Sequence, residues 1–346
     1  MLLKVCQLVK VKGASDMHLY PDRPVYYRVN GAIQTLDSLT VAEEHIKKII
    51  LETSSPKARE ILGKFRQVTY AADIETVGRL RFSVFFDRGR FAMSVRFISD
   101  KIYSFQELGF SEAIKKILAQ HAGLILVGSS SGEGKTSTIA SIINFYNSYF
   151  EKNIITIENP VEYLFKDNKS AIIQRSIPLD ISNFYAGLCE MGRVNPDVVV
   201  SDSLNYPDAM DKALSLCESG TTVIGGTEGG DCLQILERII NLRSPSEREV
   251  LRSKLASQLT MIISQRLVPK TDHTGRKAIF DIMVNTPQLR SLIRNNNFTM
   301  FRTLQSQGEI TGMKTFDSQL AELLRTGYIT KKAAAEFSID KKRFGN

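Results

Sequence analysis

The stretch Gly123-Leu-Ile-Leu-Val-Gly-Ser-Ser-Ser-Gly-Glu-Gly-Lys-Thr136 decides the fold that this sequence predicts. Its apolar residues Leu124–Val127 indicate a buried strand. A turn rich in glycine and serine follows, and Ile139, Ile142 and Ile143 then have the spacing of a helix. A strand, a glycine-rich turn and a helix are the setting of phosphate-binding loops with the pattern G-x-x-x-x-G-K-[ST]. The stretch therefore predicts a nucleotide-binding α/β domain.

The chemistry of such a loop assigns roles to its residues. Consecutive backbone N–H groups surround an anion, and the N-terminus of the following helix adds partial positive charge. We expect Lys135 to reach the β- and γ-phosphates of ATP, and the Thr136 hydroxyl to bind Mg²⁺. The residues expected to contact the nucleotide are Ser131, Gly132, Glu133, Gly134, Lys135, Thr136 and Ser137.

The loop departs from the pattern at its first glycine. Ser129 stands at that position, and the nearest glycine, Gly128, comes one residue early. If the backbone there needs a positive φ, a residue other than glycine costs about 1–2 kcal/mol. That cost is small beside the binding energy of a triphosphate. The competing interpretation is a polar turn that contains Gly-Lys-Thr by chance, and the strand–turn–helix context favours the phosphate-binding loop.

Two hydrophobic patterns divide the chain. The first part is typical of antiparallel strands: Val25–Ile33 and Arg79–Phe97 each predict a hairpin, and Val41–Leu51 predicts a helix. Farther along, short β-branched runs alternate with helical patterns, which predicts a mainly parallel sheet whose ligands bind beyond the carboxyl ends of its strands. We therefore expect an N-terminal α+β domain at residues 1–98, a linker at 99–109 and an α/β domain with C-terminal helices at 110–346.

The composition argues against several classes of function. The chain has 346 residues and a net charge of +8, but its charge is dispersed and no aromatic-rich RNA-binding signature accompanies it, so we expect no nucleic-acid partner. Its four cysteines and four histidines lack the spacing of a zinc site or a disulfide framework. The apolar runs are too short to span a bilayer, and the N-terminus lacks the apolar core of a signal peptide. We expect a cytoplasmic protein with no direct membrane insertion.

Together with other segments, the loop resembles a known family, the secretion ATPases, and within it the PilT-like retraction ATPases of type IV pili. The segment Thr156–Glu162 is similar to the aspartate box of that family, T-I-E-D-P-[IV]-E. Further segments that resemble family motifs, in the same order, are Gly13–Leu19, Gly132–Thr138, Asn195–Asp197, Ser264-Gln265, Pro287–Arg294 and Gly312–Asp317. Pilus-assembly motors usually add a longer N-terminal region and a four-cysteine zinc module. This sequence has neither, which favours retraction over extension.

The resemblance implies a fold, an activity and partners. The expected fold class is α/β, with an N-terminal α+β (PAS-like) domain followed by a RecA-like P-loop ATPase domain. The expected protein is a homo-hexameric motor that uses ATP and Mg²⁺ to power pilus retraction, peripheral to the inner membrane through the pilus machinery. Its implied partners are an inner-membrane pilus platform protein and a paralogous extension ATPase. In such rings the N-terminal domain of a neighbour closes over the nucleotide, and Arg81 and Arg96 best match the arginines that reach the phosphates.

Further departures from the family pattern bear on hydrolysis. Ser203 replaces the glutamate that ends the Walker B motif, Asp202 replaces the glycine before it, and Glu228 replaces the histidine of the histidine box. Glu158 of the aspartate box is retained, and we expect it to polarise the attacking water. In one interpretation the site has decayed, and the protein is a hydrolysis-impaired accessory subunit that modulates a paralogous motor. In the other, Glu228 or Asp202 partly replaces the lost glutamate in a weak ATPase. The departures indicate a divergent member, of the bundle-forming pilus type.

Overall fold

The structure, a computed structural model, describes residues 2–120, 122–272 and 274–345. Its strands are β1 (Asp16–Leu19), β2 (Arg23–Val29), β3 (Ala32–Val41), β4 (Gln67–Ile74), β5 (Gly78–Asp87), β6 (Arg90–Phe97), β7 (Leu124–Ser129), β8 (Asn153–Glu158), β9 (Ala171–Ser176), β10 (Val198–Ser201), β11 (Thr222–Thr227), β12 (Leu259–Pro269) and β13 (Arg276–Val284). Its helices are α1 (Leu2–Val11), α2 (Glu43–Thr53), α3 (Pro56–Phe65), α4 (Phe105–Leu108), α5 (Glu112–Gln120), α6 (Lys135–Tyr149), α7 (Phe184–Val194), α8 (Pro207–Glu218), α9 (Cys232–Ile240), α10 (Arg248–Gln258), α11 (Pro287–Arg294), α12 (Phe301–Gln307), α13 (Phe316–Arg325), α14 (Lys331–Phe337) and α15 (Lys341–Phe344). A short 3₁₀ helix spans Glu309–Thr311.

The described residues fall into two units. The first comprises those of Met1–Ile102 together with Glu158–Leu164 and Arg175–Ser182. The second comprises those of Tyr103–Ile157, Phe165–Gln174 and Asn183–Asn346. Helix α4 lies within the segment 99–109 that the sequence predicts as a linker.

The first unit contains a six-stranded sheet with the order β3-β2-β1-β6-β5-β4. Every neighbouring pair of strands in it is antiparallel. Two of its hairpins turn on residue pairs with positive φ, namely Asn30 (49°) with Gly31 (88°) and Arg88 (51°) with Gly89 (79°). Positive φ at both central residues gives a turn whose twist matches that of the strands. Both hairpins predicted from the sequence are confirmed.

One face of this sheet forms a hydrophobic core. Successive strand residues point to opposite faces, so Met17, Phe82 and Val95 are all buried on the same side. Helices α1, α2 and α3 contribute further buried residues to this core, among them Val9 and Ile46. Val5, Cys6 and Val9 of α1 are therefore core residues of the first unit.

The second unit contains a seven-stranded sheet with the order β13-β12-β7-β11-β10-β8-β9. The strands from β12 to β8 in this order are parallel, and β13 pairs with β12 in the antiparallel sense. Strands β7, β10 and β11 are buried along their whole length, as expected for a sheet covered on both faces. The parallel strands at the centre of the sheet confirm the sequence prediction. Strands β9, β12 and β13 were not predicted from the sequence.

The register brings the carboxyl ends of the central strands to one edge of the sheet. Thr227 at the end of β11 lies opposite Gly128 of β7, and Ser201 at the end of β10 lies opposite Gly225. The loops that follow β7, β10 and β11 therefore begin at the same edge. These are the loops to which the sequence assigns most of the candidate site.

The C-terminal helices pack on the edge strands of this sheet. Phe316 and Leu320 of α13, Ala334 of α14 and Phe344 of α15 share a small core with Val268 of β12. Within the described ranges, no helix is both long enough and apolar enough to cross a membrane.

Candidate functional site

The loop after β7 has the backbone of an anion-binding turn. Strand β7 ends at Ser129 and helix α6 begins at Lys135, with Gly134 as its N-cap. Gly132 (φ 79°) and Gly134 (φ 89°) both adopt the left-handed conformation that only glycine takes without strain. The first N–H groups of α6 have no partner within the helix, so they are available to an anion at its N-terminus.

Ser129 fits the loop without strain. It is an extended residue at the end of a strand, it is buried, and its hydroxyl donates a hydrogen bond to the carbonyl of Ser130 at 2.7 Å. Ser129 does not have a positive φ. It therefore does not carry the conformational cost that a positive φ would impose on a residue other than glycine. Gly128 is a glycine for another reason: a Cβ there would lie 2.3 Å from Cδ1 of Ile235 on α9. The missing first glycine therefore does not strain the backbone of this loop.

Gln265 on β12 braces the loop from the side. Its amide nitrogen donates to the carbonyl of Glu133 at 2.7 Å, and its amide oxygen accepts from the hydroxyl of Thr138. A Cβ at Gly134 would lie 2.4 Å from the same amide nitrogen, so this side chain also makes glycine necessary there. Gln265 belongs to the Ser-Gln segment quoted above, but nothing local in the sequence predicts that it touches a loop 132 residues away.

Glu133 places an acid in the loop that we expect to bind phosphate. Its carboxylate accepts the backbone N–H of Leu267 on β12, which anchors the acid to the strand. Arg276 on β13 donates to the carbonyl of Gly132 at 3.3 Å. The loop is thus fixed by residues from two neighbouring strands, and its glycines supply the turn.

The polar groups of Lys135 and Thr136 are available to a ligand. In the part of the chain that the structure describes, neither the Lys135 ammonium nor the Thr136 hydroxyl forms a hydrogen bond or an ion pair. An ammonium and a hydroxyl at the start of this helix suit a phosphate and a hard cation such as Mg²⁺. The two residues fit the roles that the sequence assigns to them.

The segment after β10 lies at the same edge of the sheet. Strand β10 ends at Ser201, so Asp202 and Ser203 lie beyond the strand. The N–H of Asp202 donates to the carbonyl of Ile157 at 3.0 Å. A Cβ at Gly226 of β11 would lie only 1.9 Å from the carbonyl oxygen of Asp202. Glycine at 226 is therefore what lets these two segments approach each other.

Asn205 joins the segment after β10 to the end of β11. Its amide oxygen accepts from the hydroxyl of Thr227 at 2.9 Å and from the N–H of Glu228 at 3.3 Å. Its amide nitrogen donates to the hydroxyl of Ser203 at 3.2 Å. The Glu228 carboxylate is 3.0 Å from the guanidinium of Arg238 on α9, and its side chain is 62% exposed. Glu228, in the loop before α9, thus pairs with a residue of that helix, and no pattern in the sequence indicated Asn205 or Arg238.

The close approach at Gly226 gives a first prediction. Gly226→Ala should lower the free energy of unfolding by about 1–3 kcal/mol, because the new Cβ would overlap a backbone carbonyl that cannot rotate away. The matched control is Gly192→Ala on α7, where a Cβ meets nothing within 4 Å and helix propensity should add up to about 1 kcal/mol. Urea unfolding of the purified variants measures both values. Equal stability of the two variants would contradict the packing described here.

Glu158 and the residues of its motif that follow it belong to the first unit, whereas Thr156 and Ile157 belong to the second. Glu158 is the last residue of β8, it is buried, and its backbone carbonyl accepts the N–H of Ile177 at 2.8 Å. Farther along the motif, Glu162 pairs with Arg81 at 2.5 Å, and the carbonyl of Val161 accepts from Arg79 at 3.0 Å. Two arginines of β5 therefore attach this segment to the N-terminal sheet.

Arg96 also has a carboxylate partner in the first unit. Its Nε lies 2.7 Å from Oδ1 of Asp16 on β1. Burial opposes ionisation of Asp16, but the hydrogen bond and charge of Arg96 hold the pKa of Asp16 below its ordinary value. Arg81 and Arg96 are direct neighbours across β5 and β6. The structure thus brings both predicted arginines together and pairs each one with a carboxylate that the sequence analysis did not assign.

Two arginines connect the loop after β11 to the C-terminal helices. Arg266 donates to the carbonyl of Gly230 at 2.9 Å and to that of Phe337 at the end of α14. Arg302 on α12 lies 2.7 Å from Asp231 and 3.3 Å from Asp281. Asp231 in turn caps α9 by accepting the N–H of Gln234 at 2.9 Å.

Comparisons with known proteins show which chains this one is similar to. The family model described as "Type II/IV secretion system protein" matches residues 1–275. The chain is 29% identical to the type IV pilus retractation ATPase PilT of Pseudomonas aeruginosa, over 94% of each chain. It is 28% identical to the type IV pilus ATPase PilU of the same organism, over 96% of this chain and 87% of the relative.

A solved structure supports the same relationship. It is described as the crystal structure of the pilus retraction motor PilT with bound ADP. The two folds match with a TM-score of 0.85 at 31% sequence identity, over 99% of this chain and 98% of the other. The predicted fold class, an α+β N-terminal domain followed by an α/β ATPase-type domain, is thereby confirmed.

Proposed function

Because the chain belongs to the type II/IV secretion system protein family, we propose that it is an ATP-hydrolysing motor of a type IV pilus that powers pilus retraction. The observation that carries the proposal is the loop of residues 129–137, with its two left-handed glycines and its uncommitted lysine. Similarity to a retraction ATPase over 94% of each chain supports the direction of the motor. Thr136 would hold Mg²⁺, which neutralises charge on the phosphates when it is bound.

The proposal includes a ring of six copies. ATP would bind to the loop of one subunit, and Arg81 and Arg96 of a neighbouring subunit would approach its phosphates. Guanidinium groups stabilise the charge that spreads over the transferred phosphoryl group. Each arginine would first have to release its carboxylate, Glu162 for Arg81 and Asp16 for Arg96. Work would come from closure on ATP and reopening on product release, against an inner-membrane platform protein and alongside a paralogous extension ATPase.

Activation of the attacking water is proposed for Glu158. A carboxylate does this by accepting a proton from the water as it approaches phosphorus. Glu158→Gln should therefore lower the turnover of ATP by about 10²–10⁴-fold while ADP binding is retained. Phosphate release and titration with a fluorescent ADP analogue measure the two quantities. An unchanged turnover would remove Glu158 from this role.

Asp202 and Glu228 are the candidates that would compensate for Ser203. Either could supply part of the charge of the lost glutamate, and Glu228 would first have to leave Arg238. Turnover of Asp202→Asn and of Glu228→Gln tests the idea, and it fails if neither variant differs from the wild type. That outcome would support the second candidate function, a nucleotide-binding accessory subunit. The serine at position 203 favours this function.

One experiment separates the two functions. Purified wild-type protein should release phosphate from ATP above background, and a deletion strain should regain pilus retraction with the wild-type gene but not with Lys135→Ala. Background-level release by the wild type, together with restored retraction, would support the accessory subunit. Failure of the wild-type gene to restore retraction would contradict the assignment to a retraction motor.

The acid in the loop gives another prediction. Glu133→Gln should tighten ADP binding by about 1 kcal/mol, roughly fivefold in Kd, because it removes a negative charge near the phosphates. The glutamine oxygen can still accept the N–H of Leu267, so the loop stays anchored. The control is Glu151→Gln beyond the other end of α6, which should not change binding. Weaker ADP binding by Glu133→Gln would mean that the contact with the N–H of Leu267 requires the negative charge of the carboxylate.

A further inference from the structure

A cleft in the second unit lies outside the residues discussed so far. It has a volume of about 410 Å³ and is formed by the end of α9, by α10 and by the segment after α11. Among its lining residues are Glu237, Asn241, Arg248, Arg252, Asn296 and Phe298. None of them belongs to the nucleotide loop or to the segments after β8, β10 and β11. A cleft of this size is large enough for a few side chains of a ligand.

The two arginines of the cleft have unused hydrogen-bond donors. Nε of Arg252 is buried and makes no hydrogen bond, and within the described ranges Arg252 has no acidic partner. Arg248 uses its Nε to donate to the carbonyl of Arg243 at 3.0 Å, and it too lacks an ion pair among the described residues. A buried donor without an acceptor destabilises a protein, so native structures rarely keep one without a reason.

The carboxylates of this region are directed elsewhere. Arg243, just before α10, pairs with Asp211 and lies 3.7 Å from Asp208 and 3.9 Å from Glu247. Glu237 lines the cleft, but it forms no ion pair with either arginine of the cleft in the described chain. The cleft therefore presents two guanidinium groups and one carboxylate. This is an excess of positive charge, and no described residue forms an ion pair with either arginine.

We propose that this cleft is the docking site for an acidic segment of a partner protein. A carboxylate of that segment would accept from Arg252 and Arg248, since guanidinium groups match carboxylates with paired hydrogen bonds. Asn241 and Asn296 offer amide groups to a peptide backbone, and Phe298 offers an apolar surface to a neighbouring side chain.

The single acid of the cleft favours a peptide over a phosphate. Glu237 can accept an N–H from a bound peptide backbone. An inorganic or lipid phosphate has no backbone N–H to offer this carboxylate. The inference goes beyond ATP hydrolysis, because it assigns a partner surface to residues with no role at the nucleotide.

The test is a binding titration of the full chain without nucleotide. The probe is a fluorescein-labelled peptide of glutamate, glycine and phenylalanine, and its match has glutamine in place of glutamate. We expect anisotropy to report binding of the acidic peptide, with the glutamine peptide at least about tenfold weaker. Arg252→Gln and Arg248→Gln should each weaken binding by about tenfold, and Arg294→Gln on α11, outside the cleft, should not.

The outcomes of this titration distinguish misfolding of a variant from the loss of a charge in the cleft and from binding at another site. Affinity for a fluorescent ADP analogue should be the same in all variants, which shows that they fold and keeps this test independent of hydrolysis. If Arg252→Gln loses nucleotide binding as well, Arg252→Lys is measured in its place. Arg252→Lys keeps the positive charge of the cleft, so it should bind the acidic peptide more tightly than Arg248→Glu, which reverses a charge. Equal affinity of both peptides, or equal loss in Arg294→Gln, would overturn the proposal. Binding of inorganic phosphate at the cleft without peptide binding would also overturn it.

Discussion

Lys135→Ala should lower the turnover of ATP by about 10²–10³-fold, the usual effect of removing one group that stabilises developing charge. The lysine begins α6 beside two left-handed glycines, and no described residue competes for its ammonium. Its charge is therefore available to the β- and γ-phosphates in both the ground state and the transition state. Phosphate release by the purified variant, at saturating ATP, measures the effect.

The control for this variant is Lys116→Ala on α5. Lys116 is exposed on a helix that contributes nothing to the loop, and the net charge of the chain falls by the same amount. Its turnover should equal that of the wild type. If both variants lose activity to the same extent, the effect comes from general charge and the role assigned to Lys135 is wrong.

The second large effect is expected at Arg302. Arg302→Met should lower the free energy of unfolding by about 3–5 kcal/mol, because it leaves a carboxylate buried without its cation. Asp281 is fully buried and Asp231 is nearly so, and Arg302 contacts both of them. Urea unfolding near neutral pH measures the loss. Arg290→Met on α11 is the control, since Arg290 is exposed and should change stability by less than about 0.5 kcal/mol.

The pH dependence of this loss has a definite sign. Burial raises the pKa of Asp281, and the charge of Arg302 opposes that rise. A carboxyl with a raised pKa in the folded state favours folding when it is protonated, so its cost grows as pH rises from the unfolded value towards the folded one. Without Arg302 the pKa of Asp281 rises further. The deficit of Arg302→Met should therefore be smaller near pH 5 than near pH 8, and a deficit that grows on acidification would contradict this account.

Local signals in the sequence predicted the parts of the fold that depend on neighbouring residues. The Asn30-Gly31 turn and the apolar run Leu124–Val127 each carry their own signal, namely turn chemistry and β-branched or apolar side chains. The conformation of Ser129 was not predictable, because the pattern alone does not say which φ its first position needs. The structure shows a strand residue there, and it assigns the adjacent Gly128 to packing against Ile235.

The side chains that hold the segments of the site in place do so through contacts between residues that are distant in the sequence. Gln265 reaches Thr138 across 127 residues, and Arg302 reaches Asp281 and Asp231 from a separate helix. The pairing of Arg81 with Glu162 spans 81 residues. No hydrophobic periodicity or turn signal encodes which side chains meet after folding. Predicting these partners requires the strand order, and in particular that β12 lies beside β7.

The central claim is that a nucleotide binds to the loop of residues 129–137 through Lys135. Isothermal titration calorimetry of a non-hydrolysable ATP analogue with Mg²⁺ tests it most directly, on the wild type, Lys135→Ala and Lys116→Ala. We expect saturable binding by the wild type and by Lys116→Ala, and an affinity at least about tenfold lower for Lys135→Ala. No binding by the wild type, or equal affinity of the wild type and Lys135→Ala, would contradict the account.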